Sequence, residues 1–264
     1  MTHEMSTAQQ NWMWEQERHR RRIRLGRFLL LCVFLLAWEG SVSLGWLNDF
    51  IFSSPSRILS TFITLARNGS IFRHLGYTLA ETLISFALVT ILGLAAAMLL
   101  WRCRLAAEIL EPCLVTLNSL PKSALAPLLI VWLGNNTRTV IVSAVSIAVF
   151  GSAVSLLTQF READEDKIRL IRSLGGGTRD ILFKVLLPGS LPALIANMKV
   201  NIGLCLIGVI IGEMLVCRNG LGYLIIYGSQ VFKLDYILLS IFILCVIAMA
   251  LYRGVGELEK RIQT

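Results

Sequence analysis

The sequence predicts an all-α fold, a polytopic membrane bundle of about six transmembrane helices. Three observations carry that prediction. Of 264 residues, 55% are apolar and only 16% are Asp, Glu, Lys or Arg, against roughly 25% charged in an ordinary soluble domain. The apolar residues gather into six runs long enough to cross a bilayer. The basic residues concentrate in alternate connections between those runs.

A helical crossing needs about 20 residues, because 30 Å of hydrocarbon is covered at 1.5 Å per residue. The runs are about Phe28–Leu47, Gly76–Trp101, Leu105–Leu133, Thr139–Thr158, Leu191–Val216 and Asp235–Tyr252. Helices rather than strands follow from run length and from the need to satisfy every backbone group internally. The fourth run is the cleanest, with no charge between Arg138 and Arg161. The third is the least regular, because Pro121, Lys122 and Pro127 interrupt it. Trp12, Trp14, Trp38, Trp46, Trp101 and Trp132 mostly fall near run ends and read as interfacial anchors.

The first run follows a dense basic stretch, Arg18 to Arg27, which beside an apolar run reads as membrane-surface rather than nucleic-acid binding. Leu25 to Ala37 has the basic front and apolar core of a secretory signal, but Trp38, Glu39 and Trp46 follow in place of a small-residue cleavage site. It is read as a retained first span. The organisation expected is a basic tail over 1–27, a first span with its outer segment over 28–70, a core transmembrane domain over 71–253 and a tail over 254–264. The six cysteines form no C-x-x-C pair and mostly lie in apolar runs, so they read as small buried residues.

Direction follows from the basic residues. With the N-terminus in the cytoplasm, 17 of the 25 Lys and Arg fall on the inner side. Both termini are therefore expected inside. The outer segments then hold Ser53-Ser54-Pro55-Ser56, a turn leading into a short helix, and Asn219-Gly220-Leu221-Gly222, also turn chemistry.

The inner connection between the fourth and fifth runs, 160–187, is too long for a simple turn. Ile168, Ile171 and Leu174 recur at helical spacing with Arg169 and Arg172 between them. Asp164-Glu165-Asp166 sits where negative charge suits a helix N-terminus. Gly175-Gly176-Gly177 ends that helix, Thr178 is expected to cap a second one, and Pro188 closes the unit. A short amphipathic helix shown on a membrane bundle needs a surface for its apolar stripe: its own bundle, the lipid interface or a partner.

This connection resembles the signature of bacterial ABC importer permeases: Glu-Ala-Ala, three residues, Gly, nine residues, an apolar residue, one residue, then Leu-Pro. Gly175, Val185 and Leu187-Pro188 match in type and spacing. The Glu-Ala-Ala positions hold Arg169-Leu170-Ile171, and none of the three matches. Leu191-Pro192-Ala193, Gly212-Glu213 and Gly220-Leu221-Gly222-Tyr223 extend the likeness towards the branch serving nitrate, sulfonate, taurine and thiamine-precursor uptake.

The resemblance implies a type I (MetI-like) permease of a bacterial inner membrane. It implies a permease homodimer lining one pathway through lipid, a separate solute-binding protein, and a separate ATPase subunit that carries ATP and Mg. It implies ATPase coupling through Ile168, Arg169, Leu170, Ile171, Arg172, Leu174, Gly175, Val185, Leu187 and Pro188.

Charged residues at membrane depth mark function by default. Glu39, Glu81, Glu213, Lys122 and Lys199 stand out. Lys199 reads as snorkelling to the inner surface, and Glu81 and Glu213 as reaching outer headgroups or pairing. Irregular backbone at that depth requires surrounding protein or water. Asn118, Ser119, Lys122 and Glu213 are therefore expected at the pathway or its gate, with Lys122 paired to Glu213 or Glu81.

No catalytic residue, metal ligand set or cofactor of this chain's own is expected. The G-x-x-x-x-G-K-[ST] phosphate loop is absent, since Thr178-Arg179 follows the glycine triplet. His3, His19 and His74 lie outside the depths of the runs, which disfavours an intramembrane enzyme. An ion-coupled transporter often shows repeated halves with matching broken helices, and here only the third run is broken.

Overall fold

The structure is a computed structural model that describes residues 7–46 and 52–263. Every element among the described residues is helical. The chain divides into two compact units, 1–61 and 62–264.

In the first unit, α1 (Thr7–Ser43) is one continuous helix of 37 residues, so the basic stretch and the first apolar run share an axis. Its segment Arg21–Ser43 is long and apolar enough to cross a membrane. The turn expected at Ser53 to Ser56 leads into α2 (Pro55–Arg67). Pro55 suits the first helical position, where its missing N–H costs nothing. Glu39 accepts hydrogen bonds from the Ser56 amide at 3.0 Å and the Ser56 hydroxyl at 2.7 Å. Its charge thus meets two donors at a helix N-terminus.

The second unit holds α3 (Ser70–Arg102), α4 (Arg104–Ser119), α5 (Ala126–Leu133), α6 (Thr137–Arg161), α7 (Glu165–Ser173), α8 (Thr178–Ile181), α9 (Leu191–Val216), α10 (Leu221–Gln230) and α11 (Leu234–Gln263). Of these, α3, α6, α9 and α11 are long and apolar enough to cross a membrane. The central helix is α6, which packs against α3, α4, α5 and α9. Half of its most apolar stretch is buried inside the protein, against 22% for α11. That explains the unbroken, uncharged run read in the sequence: helices surround it.

Small residues set the closest approach. Gly208 of α9 lies against the Ala144 backbone, where an added Cβ would come within 2.6 Å, and Gly212 lies against Val140 at 3.0 Å. This small-x-x-x-small spacing lets the α6 and α9 backbones approach closely.

The third apolar run is not one helix, which corrects the expectation of a single span over 105–133. Pro121 disfavours helical backbone at the residue before it, and Leu120 is extended, with φ −65° and ψ 144°. A 3₁₀ turn, Lys122–Leu125, follows before α5 begins. The 16 residues of α4 span about 24 Å at 1.5 Å each, short of the roughly 30 Å hydrocarbon core. Five helices meet the length requirement among the described residues, and this crossing is built from pieces.

Candidate functional site

Three constructions in the second unit carry the residues singled out by sequence. The first is the connection between α6 and α9. Asp164 caps α7, accepting from the Asp166 amide at 3.0 Å. That backbone hydrogen bond, with Lys167 beside it, holds the Asp164 carboxyl below its ordinary value. Glu165 pairs with Arg169 one turn on, at 2.8 Å. At the other end, the Gly176 amide donates to the Ile171 carbonyl at 2.9 Å and the Gly175 amide to Arg172 at 3.0 Å. This is a Schellman closure with Gly175 at φ +79°. The Gly of the motif therefore answers a backbone need.

The cap on α8 is not Thr178. Asp180 reaches back to accept from the Gly177 amide at 3.0 Å. Lys184, at 2.7 Å, is the larger reason its carboxyl sits below the usual range. The chain then widens into a π turn, Leu182–Leu186, before Pro188.

The apolar residues of α7 divide between two sides. Ile168, Ile171 and Leu187 pack on a cluster that includes Leu156, Phe160, Ile181 and Leu186. Leu170 at 57%, Leu174 at 74% and Phe183 at 63% are exposed, as are Arg169, Arg172 and Pro188, while Val185 is half-buried. The expected Ile168–Ile171–Leu174 stripe is thus split. The two isoleucines face the bundle, and Leu170 and Leu174 face out.

The second construction is a cavity of about 640 Å³ between the end of α4, α6 and α9. Its polar wall includes Asn118, Ser152, Gln159, Asn197 and Asn201, and among the described residues no charged one lines it. Asn197 and Asn201 both donate to the Ser152 hydroxyl oxygen, at 2.9 and 3.0 Å. Asn118 was singled out by sequence; Ser152, Asn197 and Asn201 were not. The available signal was two asparagines four residues apart on one face of an apolar run. Ser119 is exposed on α4, its hydroxyl donating to the Val115 carbonyl at 3.0 Å, and does not line the cavity. The side chain of Lys122 lies outside the described residues.

The third construction closes the opposite end of α9. Glu213 is fully buried. Its Oε1 accepts from the Thr78 hydroxyl and its Oε2 from the Gly222 amide, each at 2.7 Å. Thr78 Oγ1 in turn accepts from the Leu221 amide at 2.9 Å, and His74 Nδ1 from the Gly220 amide at 3.0 Å. Gly220 has φ +104°, and a Cβ there would overlap the Glu213 carboxylate. The Gly-Leu-Gly run is thus a turn whose three amides are all taken by α3 and Glu213. Glu213 does not line the cavity that holds Asn118. Lys199 pairs with Glu259 of α11 and lies over the Tyr252 ring.

The family described as binding-protein-dependent transport system inner membrane component matches residues 89–262. A probable ABC transporter permease protein of Haemophilus influenzae is 30% identical, over 91% of this chain and 98% of its own. The taurine transport system permease protein TauC of Escherichia coli is 23% identical, over 88% and 86%. The formylaminopyrimidine transport permease protein ThiX of Halalkalibacterium halodurans is 25% identical, over 88% and 92%.

Among solved structures, a chain of the inward-facing MetNI methionine ABC transporter superposes with a TM-score of 0.64 at 19% identity, over 75% of this chain and 98% of that one. A chain of a bacterial ABC transporter involved in import of the acidic polysaccharide alginate gives 0.67 at 12% identity, over 96% and 99%. These two likenesses establish the fold. The family match spans more than half of the sequence and takes in the α6–α9 connection, the cavity and the Glu213 turn. This multi-pass membrane chain belongs to the binding-protein-dependent ABC importer permease family.

Proposed function

We propose that this chain forms the transmembrane pathway for a small solute and is driven through its 160–187 connection by a separate ATPase subunit, which carries ATP and Mg. The observation that carries this reading is the division of α7. Ile168 and Ile171 fix the helix to the bundle, and Leu170 and Leu174, with Phe183 beyond them, stand exposed on a well-capped, short element. A helix so firmly closed at both ends is a rigid object to grip. Arg169-Leu170-Ile171 in place of Glu-Ala-Ala changes the chemistry of that grip from acidic to basic and apolar.

The solute is small, of the taurine, sulfonate or thiamine-precursor kind, delivered by a separate binding protein on the outer side. Relatives named for taurine and formylaminopyrimidine transport support that range. Asn118, Ser152, Asn197 and Asn201 offer neutral hydrogen-bonding groups along the pathway, with Lys122 at its gate. Two copies of the chain enclose it in the inner membrane, both termini in the cytoplasm.

The test is co-purification. The permease is co-expressed with an ABC ATPase subunit with which the wild type co-purifies, as wild type and as the double variant Leu170→Asp, Leu174→Asp. Loss of the ATPase from an otherwise intact, membrane-inserted permease is expected. Retention of the ATPase at wild-type stoichiometry would refute the reading.

A further inference from the structure

Glu213 does not sit alone in its site. Glu81, on α3 and 2% exposed, lies one turn beyond Thr78 on the helix face that meets Glu213, with Thr137 at the start of α6 beside it. The two carboxyl groups differ in how they are served. Both oxygens of Glu213 accept hydrogen bonds from fixed donors, the setting of an ionised carboxylate, which can only accept. Glu81 has one oxygen, Oε2, that is fully buried with no partner. Ser85 lies one turn further along the same helical face, and its hydroxyl is likewise buried without a partner.

Among the described residues, no positive charge balances a second carboxylate here. Facing the pair are His74 from α3, Cys217 at the end of α9, and the turn before α10. His74 accepts through Nδ1 from the Gly220 amide, which makes it a neutral imidazole; Tyr223 stacks on its ring. Arg73 and Arg218 on the flanking segments are exposed, and no ion pair among the described residues engages either glutamate. Two ionised carboxylates in mutual contact, shut away from water, repel too strongly to coexist, and such a pair retains a proton.

We propose that Glu81 and Glu213 form a proton-binding site in which one proton, resident on Glu81, bridges to the Glu213 carboxylate. The proton fastens α3 to α9, while the remaining capacity of Glu213 fastens the Gly220–Gly222 turn. The site is independent of the transport reading, which needs no bound proton.

Infrared spectroscopy of the full chain in phospholipid vesicles at neutral pH tests it. A protonated-carboxyl stretching band is expected in the wild type, lost in Glu81→Gln and retained in Glu39→Gln. No such band in the wild type, or a band that survives Glu81→Gln, would overturn the proposal. Assembly gives a second measurement. Gln is an isostere of the protonated acid, so Glu81→Gln should reach wild-type yield of folded protein, whereas Glu213→Gln turns an amide NH₂ towards fixed donors and should fall severalfold below it. Equal losses for the two variants would also overturn it.

Discussion

The α6–α9 connection and the Glu213 turn are both short irregular segments at helix ends, yet they are held in opposite ways. The connection is closed by neighbours in sequence: Asp164 to Asp166, Asp180 to Gly177, Gly176 to Ile171. The Glu213 turn is closed by partners up to 146 residues away, all buried. Local closure gives an element that keeps its shape while its outer face stays free. Distant closure gives a staple that ties helices together and cannot yield without separating them. The first suits a surface that another protein holds, the second a fixed point of the bundle.

Mutation should expose that contrast. The largest effect is expected from Glu213→Ala, which strips the Thr78 hydroxyl and the Gly222 amide of their acceptor. Two hydrogen bonds to a charged group make this a loss of about 3 kcal/mol or more, read as a large drop in the thermal unfolding midpoint of the purified protein. Gly220→Ala comes next, because φ +104° is strained for alanine and its Cβ meets the carboxylate; a cost of about 1–3 kcal/mol follows, measured the same way.

On the connection, Ile171→Asp should destabilise the bundle by about 1–2 kcal/mol, since it sets a charge on a half-buried apolar contact. Leu170→Asp should leave stability within about 0.5 kcal/mol while weakening ATPase retention. If Ile171→Asp alone abolishes retention with no change in unfolding, the division of faces on α7 is wrong.

The smallest effect is expected from pH. Asp164 and Asp180 have folded values below their ordinary ones, so their caps contribute above the ordinary carboxylate range, near pH 4, and are lost as pH falls through the lower folded values. Amide exchange in 164–186, corrected for its intrinsic pH dependence, should rise from pH 5 to pH 3, and Asp164→Asn should keep α7 capped where Asp164→Ala does not.

Much of the scaffold was legible in the sequence, because run length and charge spacing report helices directly. The broken third crossing was half-legible: Pro121 announced the break, but a hydropathy run cannot say that the halves part into α4, a 3₁₀ turn and α5. The frame of the connection was legible through Gly175 and Pro188. The direction of its stripe was not, because helical spacing shows that Ile168 and Ile171 share a face without showing what that face meets. Glu213 was visible as a charge in an apolar run, while its partner Thr78 lies 135 residues earlier and leaves no local trace. Asn197, Asn201 and Ser152 leave little mark on the sequence, because uncharged polar residues disturb hydropathy little. Thr178 was assigned a cap that Asp180 provides, a competition settled by backbone geometry after the glycine triplet.

The close approach at Gly208 and Gly212 reaches beyond packing. The chain enters the connection from α6 and leaves it into α9, and these two helices meet backbone to backbone at Ala144 and Val140. Nearer the connection the two stems flank the cavity, so their tightest junction lies beyond it, at Ala144 and Val140. If the connection is driven as proposed, the stems pivot about that junction, and a turn of the connection is handed on through it to the far side of the membrane.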